Sequence, residues 1–340
     1  MGLQPIGRRQ AIALAAATLA TAACSRKGAT GSADPVTIVN TSGNFAATLQ
    51  QLMKDKRYLE QMGLAPSYLS VGDGSKIIGA LLSGQADICT ASGFGQVLPA
   101  IERGGDLKVL AGSEVLLLHL IYSCRPEIRT LKDLEGRTVG VGSLGALLHT
   151  ITVALLRKNN VDPDKIRFVN VGSSADVFRA VVAKVVDAGP SELDYLGQAD
   201  RYAVHGLAGG NFWDGLAEYT NQASYASGRA VRDKRAVLVR TLAAYGKLYR
   251  FISSPQSRDE YLAARATALG KKNEQEEALA QWEFFQKHAS FAVDLVLADE
   301  RLRYMQDLNL SLGVQKTLLP SVRVSDMSLA RDAVKLLGRT

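Results

Sequence analysis

A chain of 340 residues, 47% hydrophobic and 21% charged, is too long for one typical domain and comfortable for two, and its composition is that of an ordinary globular protein. Its net charge of +7 comes from 40 Lys and Arg scattered among 33 Asp and Glu, with no long basic run, which argues against a nucleic-acid partner. Three cysteines are too few for a disulfide scaffold or a zinc cluster, and nothing in the chain calls for a cofactor or metal.

Arg8-Arg9 precede a small and apolar run, Ala11 to Ala23, that ends in Thr21-Ala22-Ala23-Cys24 ahead of polar Ser25-Arg26-Lys27-Gly28. The run is too short to span a bilayer, and its charged-then-apolar-then-small layout reads as a signal peptide over residues 1–24. The paired arginines resemble a twin-arginine export signal, though Gln10-Ala11-Ile12 lacks the usual bulky residue. The residues before Cys24 resemble a bacterial lipoprotein box, with Thr21 where Leu is usual. Lipidation of Cys24 and simple cleavage near Ala23 both stay open; either way the mature protein works outside the cytoplasmic membrane. Residues 25–35 read as a flexible tether.

Val36-Thr-Ile38-Val39 is a buried-type strand running into Thr41-Ser42-Gly43-Asn44 and a helix from Phe45 to Lys54. Such a loop places hydroxyls and free N–H groups at a helix N-terminus, where a polar or anionic ligand binds. Tyr58 to Gly63 continues helical. A second strand, Ser67 to Val71, leads through Asp73-Gly74-Ser75 into a helix from Lys76 to Ser83. A third strand starting near Ala86 ends in Thr90-Ala91-Ser92-Gly93-Phe94-Gly95, before a helix from Gln96 to Arg103. Ligands of open α/β sheets sit beyond the strands' carboxyl ends, so Ser42, Gly43, Asn44, Gly74, Ser75, Ser92 and Gly93 are candidate contacts. Two apolar runs follow, Lys108 to Ser113 and Val115 to Ser123, the second long enough to cross to another lobe.

The unit from Ser67 to Ser92 recurs from Arg167 to Glu192: Val71, Gly72, Ala80 and Asp87 are matched by Val171, Gly172, Ala180 and Asp187, and the order of apolar and polar positions is the same. At the same offset Thr37-Ile38-Val39 matches Arg137-Thr138-Val139. One β-loop-α-β unit used twice predicts two lobes facing a cleft. In the second lobe Ser143-Leu144-Gly145 opens a helix from Ala146 to Lys158, Ile166 to Val171 is a strand, and Gly172-Ser173-Ser174 caps a helix from Asp176 to Ala183. Pro190, Ser191 and Glu192 occupy the strand end matching Ala91 and Ser92; Glu192 is a carboxylate able to receive a ligand ammonium or ring N–H, or a solvated or helix-capping Glu. Ala203, Val204 and Leu207 suggest a strand before an aromatic loop at Gly209 to Trp213. Tyr225 to Arg229 marks the return crossing. Helices then run from Asp233, over Arg258 to Leu269, Asn273 to Lys287 with a solvated acidic first turn at Glu274 to Glu277, Ala298 to Leu308 and Asp326 to Leu337, bracing the first lobe.

The stretch Leu131-Lys-Asp-Leu134-Glu-Gly136-Arg-Thr138-Val139-Gly140-Val141, together with Ala80-Leu-Leu-Ser-Gly-Gln-Ala-Asp87, resembles the type II periplasmic solute-binding proteins of ABC transporters, and within them the nitrate, sulfonate, taurine and thiamine-pyrimidine binders. The resemblance runs from Val36 to the end. It implies a type II α/β fold with lobe 1 at 36–122 plus 228–340 and lobe 2 at 123–227. It also implies a monomeric, non-enzymatic receptor that closes on a small polar or anionic solute and delivers it to a membrane permease. Ligand contacts would come from the loops named above, including Ser143, Leu144 and Gly145, with Phe45, Phe94 or Trp213 covering an apolar body. Alternatives are a receptor for another transporter type or a sensor kinase, and a secreted enzyme. Against the last, the four His lack metal spacing, no nucleophile elbow or phosphate loop is present, and the Cys-rich motif of pyrimidine-synthase enzymes of this fold is missing. His119 reads as a core histidine, and a disulfide between Cys89 and Cys124 stays open.

Overall fold

The computed structural model describes residues 33–145, 147–270 and 275–338. The expected export signal and Cys24 therefore lie outside the described residues.

The first half of the chain alternates strand and helix: β1 (Asp34–Thr41), α1 (Asn44–Lys56), β2 (Leu64–Val71), α2 (Gly74–Ser83), β3 (Ile88–Ser92), α3 (Val97–Glu102) and β4 (Leu107–Gly112). Local chemistry sets these boundaries. Asp73 caps α2 by accepting from the Lys76 N–H at 3.0 Å, and Gly84 ends it in the left-handed region, φ 81°, that glycine enters without steric cost. After a crossing come β5 (His119–Ser123), β6 (Thr138–Val141), α4 (Leu147–Lys158), β7 (Arg167–Asn170), α5 (Ser174–Val182), β8 (Ala188–Glu192) and β9 (His205–Asn211). The chain returns to β10 (Ala223–Ser227) and finishes in α6 (Arg235–Ile252), α7 (Arg258–Leu269), α8 (Gln275–Lys287), α9 (Asp299–Ser311) and α10 (Ser328–Leu337).

Two five-stranded mixed sheets result, ordered β2-β1-β3-β10-β4 and β7-β6-β8-β5-β9. In each, the strands of the repeat are parallel, and one strand arriving from a crossing is inserted antiparallel, β10 in the first sheet and β5 in the second. The repeat is visible in its hydrogen bonds. Asp87 Oδ2 accepts from the Thr37 N–H at 2.9 Å, and Asp187 Oδ2 accepts from the Thr138 N–H at 2.9 Å. This corrects the alignment of the first strands: Thr37 corresponds to Thr138 rather than Arg137, because the connection to the repeat's second strand is one residue shorter in the second copy. The register agrees, since Ile38 lies beside Ile88 and Val139 beside Ala188.

The two crossings run side by side. The Ser113 N–H donates to Gln222 O at 3.1 Å and the Gln222 N–H to Glu114 O at 2.8 Å, while the Val115 N–H reaches Ser290 O at 2.8 Å. The chain is back in the first sheet by Ala223, earlier than the expected return near Tyr225 to Arg229. Gly209, Gly210 and Asn211 belong to β9 rather than a loop, and Phe212 that follows is fully buried.

The helix α6 carries the expected buried face, with Leu238, Leu242, Tyr245, Leu248, Tyr249 and Ile252 all buried; each large apolar side chain so buried contributes roughly 1.5–3 kcal/mol. The C-terminal helices do more than brace the first sheet. The helix α7 packs on α1, whereas α8 packs on the turn Leu193–Gln198 that follows β8 of the second sheet. Glu277, expected in a solvated turn, is buried there and accepts from Gln198 Nε2; its partner across the cleft is invisible to local sequence.

Candidate functional site

A cavity of about 530 Å³ lies between the sheets, within the range of small-molecule sites. The first sheet contributes Ser42, Gly43, Asn44 and Phe45 at the start of α1, and Gly93 after β3. The second contributes Gly142 and Ser143 after β6, Ser173 and Ser174 at the start of α5, Glu192 at the end of β8 and Asp194 just after it. Glu114 and His119 from the first crossing, Asn221 and Gln222 from the return, and Gln281 of α8 complete the wall.

Among the expected contacts, Ser42, Gly43, Asn44, Gly93, Ser143 and Glu192 line this cavity. Gly74 and Gly145 line an adjoining one of about 360 Å³ that shares Thr41, Gly93 and Leu147 with it. The others face elsewhere. Ser75 donates its hydroxyl to Asp73, the cap of its own helix. Ser92 is buried and accepts from the Thr41 N–H at 2.9 Å, tying β3 to β1. Leu144 is exposed to solvent, Pro190 is buried within β8, and Ser191 donates to Ser174 O at 2.8 Å. Of the three aromatics expected to cover a ligand, only Phe45 lines the cavity: Phe94 is inaccessible and Trp213 packs edge-on against Phe284 at 5.1 Å.

The two lobes present different helix ends. Gly43 caps α1 with no side-chain hydrogen bond, which leaves that N-terminus open to a polar group in the cavity. Ser173 caps α5 and is locked in a reciprocal capping box with Asp176.

Sequence reasoning missed the floor of the cleft. Glu114 was legible as the lone charge between two apolar runs, but nothing local showed that it turns inward. It is 3% exposed, accepts from Asn221 Nδ2, and burial pushes its carboxyl up to about 8, so it is largely protonated at neutral pH. Glu192 is also raised, by burial and by the neighbouring Asp194 charge. Asp194 is paired with Arg265 of α7 at 2.6 Å, with side chains 6% and 3% exposed, and Arg265 also donates to Gln281 Oε1 at 2.8 Å. His119, expected in the core, is a wall residue as well: burial lowers it to about 4, which keeps it neutral, and its Nδ1 is buried with no partner among the described residues.

Among the described residues no cluster of His, Cys, Asp and Glu is arranged to hold a metal. Cys89 and Cys124 are both free thiols; Cys89 is buried, donates to Asn40 Oδ1 and is pushed up to about 11 by burial, the opposite of an activated nucleophile. Among the described residues no helix is long and apolar enough to cross a membrane.

Residues 44–195 match the model of the NMT1/THI5-like family. No curated protein matches the sequence. Among solved structures the chain is similar to the periplasmic aliphatic sulphonate binding protein SsuA from Escherichia coli, with TM-score 0.70 at 18% identity over 86% of this chain and 92% of that one. It is similar to the alkanesulfonate-binding protein SsuA from Xanthomonas axonopodis pv. citri bound to MOPS, with TM-score 0.66 at 18% identity over 87% and 97%. The desulfurization enzyme DSZB shares the fold with TM-score 0.62 at 16% identity over 89% and 99%. The chain thus has the two-lobe α/β fold of periplasmic binding proteins, the same group that its sequence resembles.

Proposed function

We propose that this protein is the exported solute-binding receptor of an ABC importer, a monomer that captures one small polar organic solute between its lobes and presents the closed form to a membrane permease. The observation that carries the reading is a cavity whose wall is built from strand ends and helix starts of both sheets and from both crossings. A ligand touching both lobes selects the closed arrangement through contacts that the open one lacks. The lobes divide at the paired crossings near Ser113 and Gln222, which are the hinge, so that β5 falls in the second lobe and β10 in the first, a few residues off the expected bounds of 36–122 plus 228–340 and 123–227. Export to the periplasm, with or without a lipid on Cys24, follows from the signal-like N-terminus.

The sulfonate binders among the structural neighbours support a solute of similar size, with the open end of α1 receiving its polar or anionic part. Since DSZB shows that this architecture also serves an enzyme, the test includes turnover. Thermal-shift screening of the purified protein against alkanesulfonates, taurine, nitrate, aromatic acids, amines and pyrimidines should give a raised melting temperature with at least one class and no chemical change in it by chromatography. A probe converted to product overturns the receptor reading.

A further inference from the structure

Arg265 and Asp194 are both buried, with side chains 3% and 6% exposed and 2.6 Å apart, yet they come from different lobes. Asp194 sits in the turn Leu193–Gln198 that continues β8 of the second sheet. Arg265 sits on α7, which packs on α1 of the first lobe and is fastened there by Glu260, paired with Lys56 at 2.9 Å. The same guanidinium favours the ionised form of Glu192, another carboxylate of the second lobe.

Helix α8 touches both lobes. On one side Phe285 packs against Phe45 at the start of α1, with ring centroids 5.8 Å apart, and edge-on against Tyr261 of α7 at 5.9 Å. On the other, Phe284 packs edge-on at 5.1 Å against Trp213, which follows β9, and Glu277 accepts from Gln198 Nε2. Gln281 of α8 accepts from both Tyr261 and Arg265, which braces the guanidinium against Asp194. The segment after α8 is bonded to the first crossing, the Val115 N–H donating to Ser290 O at 2.8 Å and the Ala292 N–H to Ser113 O at 2.9 Å. The helix is thus tied to the hinge at its C-terminal end.

Rotation about the hinge has to part some of these contacts. If α8 stays with the first lobe, Trp213 and Gln198 leave it; if it follows the second, Phe45 and Tyr261 do. In both cases Asp194 leaves Arg265, because α7 is held to α1. All of these are contacts of protein with protein, so they favour the closed arrangement whether or not a solute is bound.

We infer that Asp194, Arg265 and α8 form a latch that holds the lobes together without a ligand, so that the cleft rests closed and a solute enters only when the latch parts. The consequence for uptake rests on the receptor reading; the latch itself does not. Removing Arg265 leaves Asp194 and Glu192 buried without their cation, and parting the lobes is the move that returns them to water.

Small-angle X-ray scattering of the purified protein, with no ligand added, tests this on the parent, Arg265→Gln, Trp213→Ala and the control Asp87→Ala, whose bonds to Thr37 and Lys234 stay within the first lobe. The latch predicts a radius of gyration larger by on the order of 1 Å in Arg265→Gln, against about 19 Å for a compact domain of this size. Trp213→Ala should expand in the same direction and Asp87→Ala not at all, each with circular dichroism like the parent's. A pair that merely supports the fold would lower the melting temperature of the variants and leave their dimensions unchanged, and that result would overturn the latch. Equal expansion of Asp87→Ala would overturn it too, since it would mean a general loosening. Trp213 is only half-buried, so its truncation is tolerated if Arg265→Gln fails to fold. Trp213→Ala then decides alone: expansion sustains the latch and unchanged scattering removes it. Because no ligand is used, this outcome is separate from that of the thermal-shift screen, on which the receptor reading stands or falls.

Discussion

At the scale of single residues, the cleft floor combines groups that sequence could place only by type. Glu192 was legible because the repeat put a carboxylate where the first copy has Ser92, whereas the inward aim of Glu114, Asn221 and Gln222 was not, because it depends on crossings that pair residues over a hundred positions apart, and that of Asp194 was not, because it depends on Arg265 of a distant helix. The reverse error concerned Ser75, Ser92 and Ser191, hydroxyls that look ligand-ready but are spent on local and inter-strand hydrogen bonds. Two titrations follow from burial. Glu114 faces Glu192 and Asp194 across the cleft, Asn221 from the return crossing, and Tyr249 and Tyr261 from α6 and α7. Its folded value of about 8 lies above the ordinary 4.5, so its contribution is full below pH 4.5 and is lost as pH rises through 8. His119 works the other way: at about 4, below the ordinary 6.5, its contribution is full above pH 6.5 and is lost as pH falls through 4. Urea unfolding of the ligand-free protein should therefore show Glu114→Gln removing a loss of roughly 1–3 kcal/mol between pH 5 and 8. A variant with the same slope as the parent would contradict the assignment. Asp194→Ala, which strands Arg265 without its carboxylate, should cost about 3–5 kcal/mol in the same assay.

At the scale of elements, nearly every helix and strand was readable from periodicity and capping residues, and boundaries moved by only a few positions. The exceptions have physical causes. Gly209 to Asn211 read as a loop because glycine pairs resemble turns, yet they extend β9, an edge strand held by β5. The helix α8 read as a brace for the first sheet because amphipathic spacing says which face is buried and not against what; Gln198 and Glu277 make it a contact of the second lobe as well. The repeat itself predicts a paired result. Asp87 and Asp187 each anchor the first strand of their copy through a backbone N–H, and Asp87 also pairs with Lys234 at 2.8 Å. Asp187 likewise pairs with Arg125 at 3.4 Å, so Asp87→Ala and Asp187→Ala should each destabilise by roughly 1.5–3 kcal/mol, the worth of a hydrogen bond to a charged group. Equal stability of either variant and the parent in chemical denaturation would mean that the anchoring bond is not used.

At the scale of the molecule, two sheets joined by adjacent crossings make one cleft, and a receptor needs that cleft open to a solute yet able to close on it. Gly43 offers a clean way to block it. A Cβ at this position meets nothing within 4 Å, and its φ of 175° is ordinary extended backbone, so a large side chain enters the cavity without straining the chain. The most direct test is calorimetric titration of the best ligand from the screen into the parent protein and Gly43→Trp. The account predicts one molecule bound per parent chain, binding weakened at least a hundredfold in Gly43→Trp, and the same ligand-free melting temperature for both. Undiminished affinity in Gly43→Trp, or conversion of the ligand to product by the parent, would contradict a solute receptor built around this cleft.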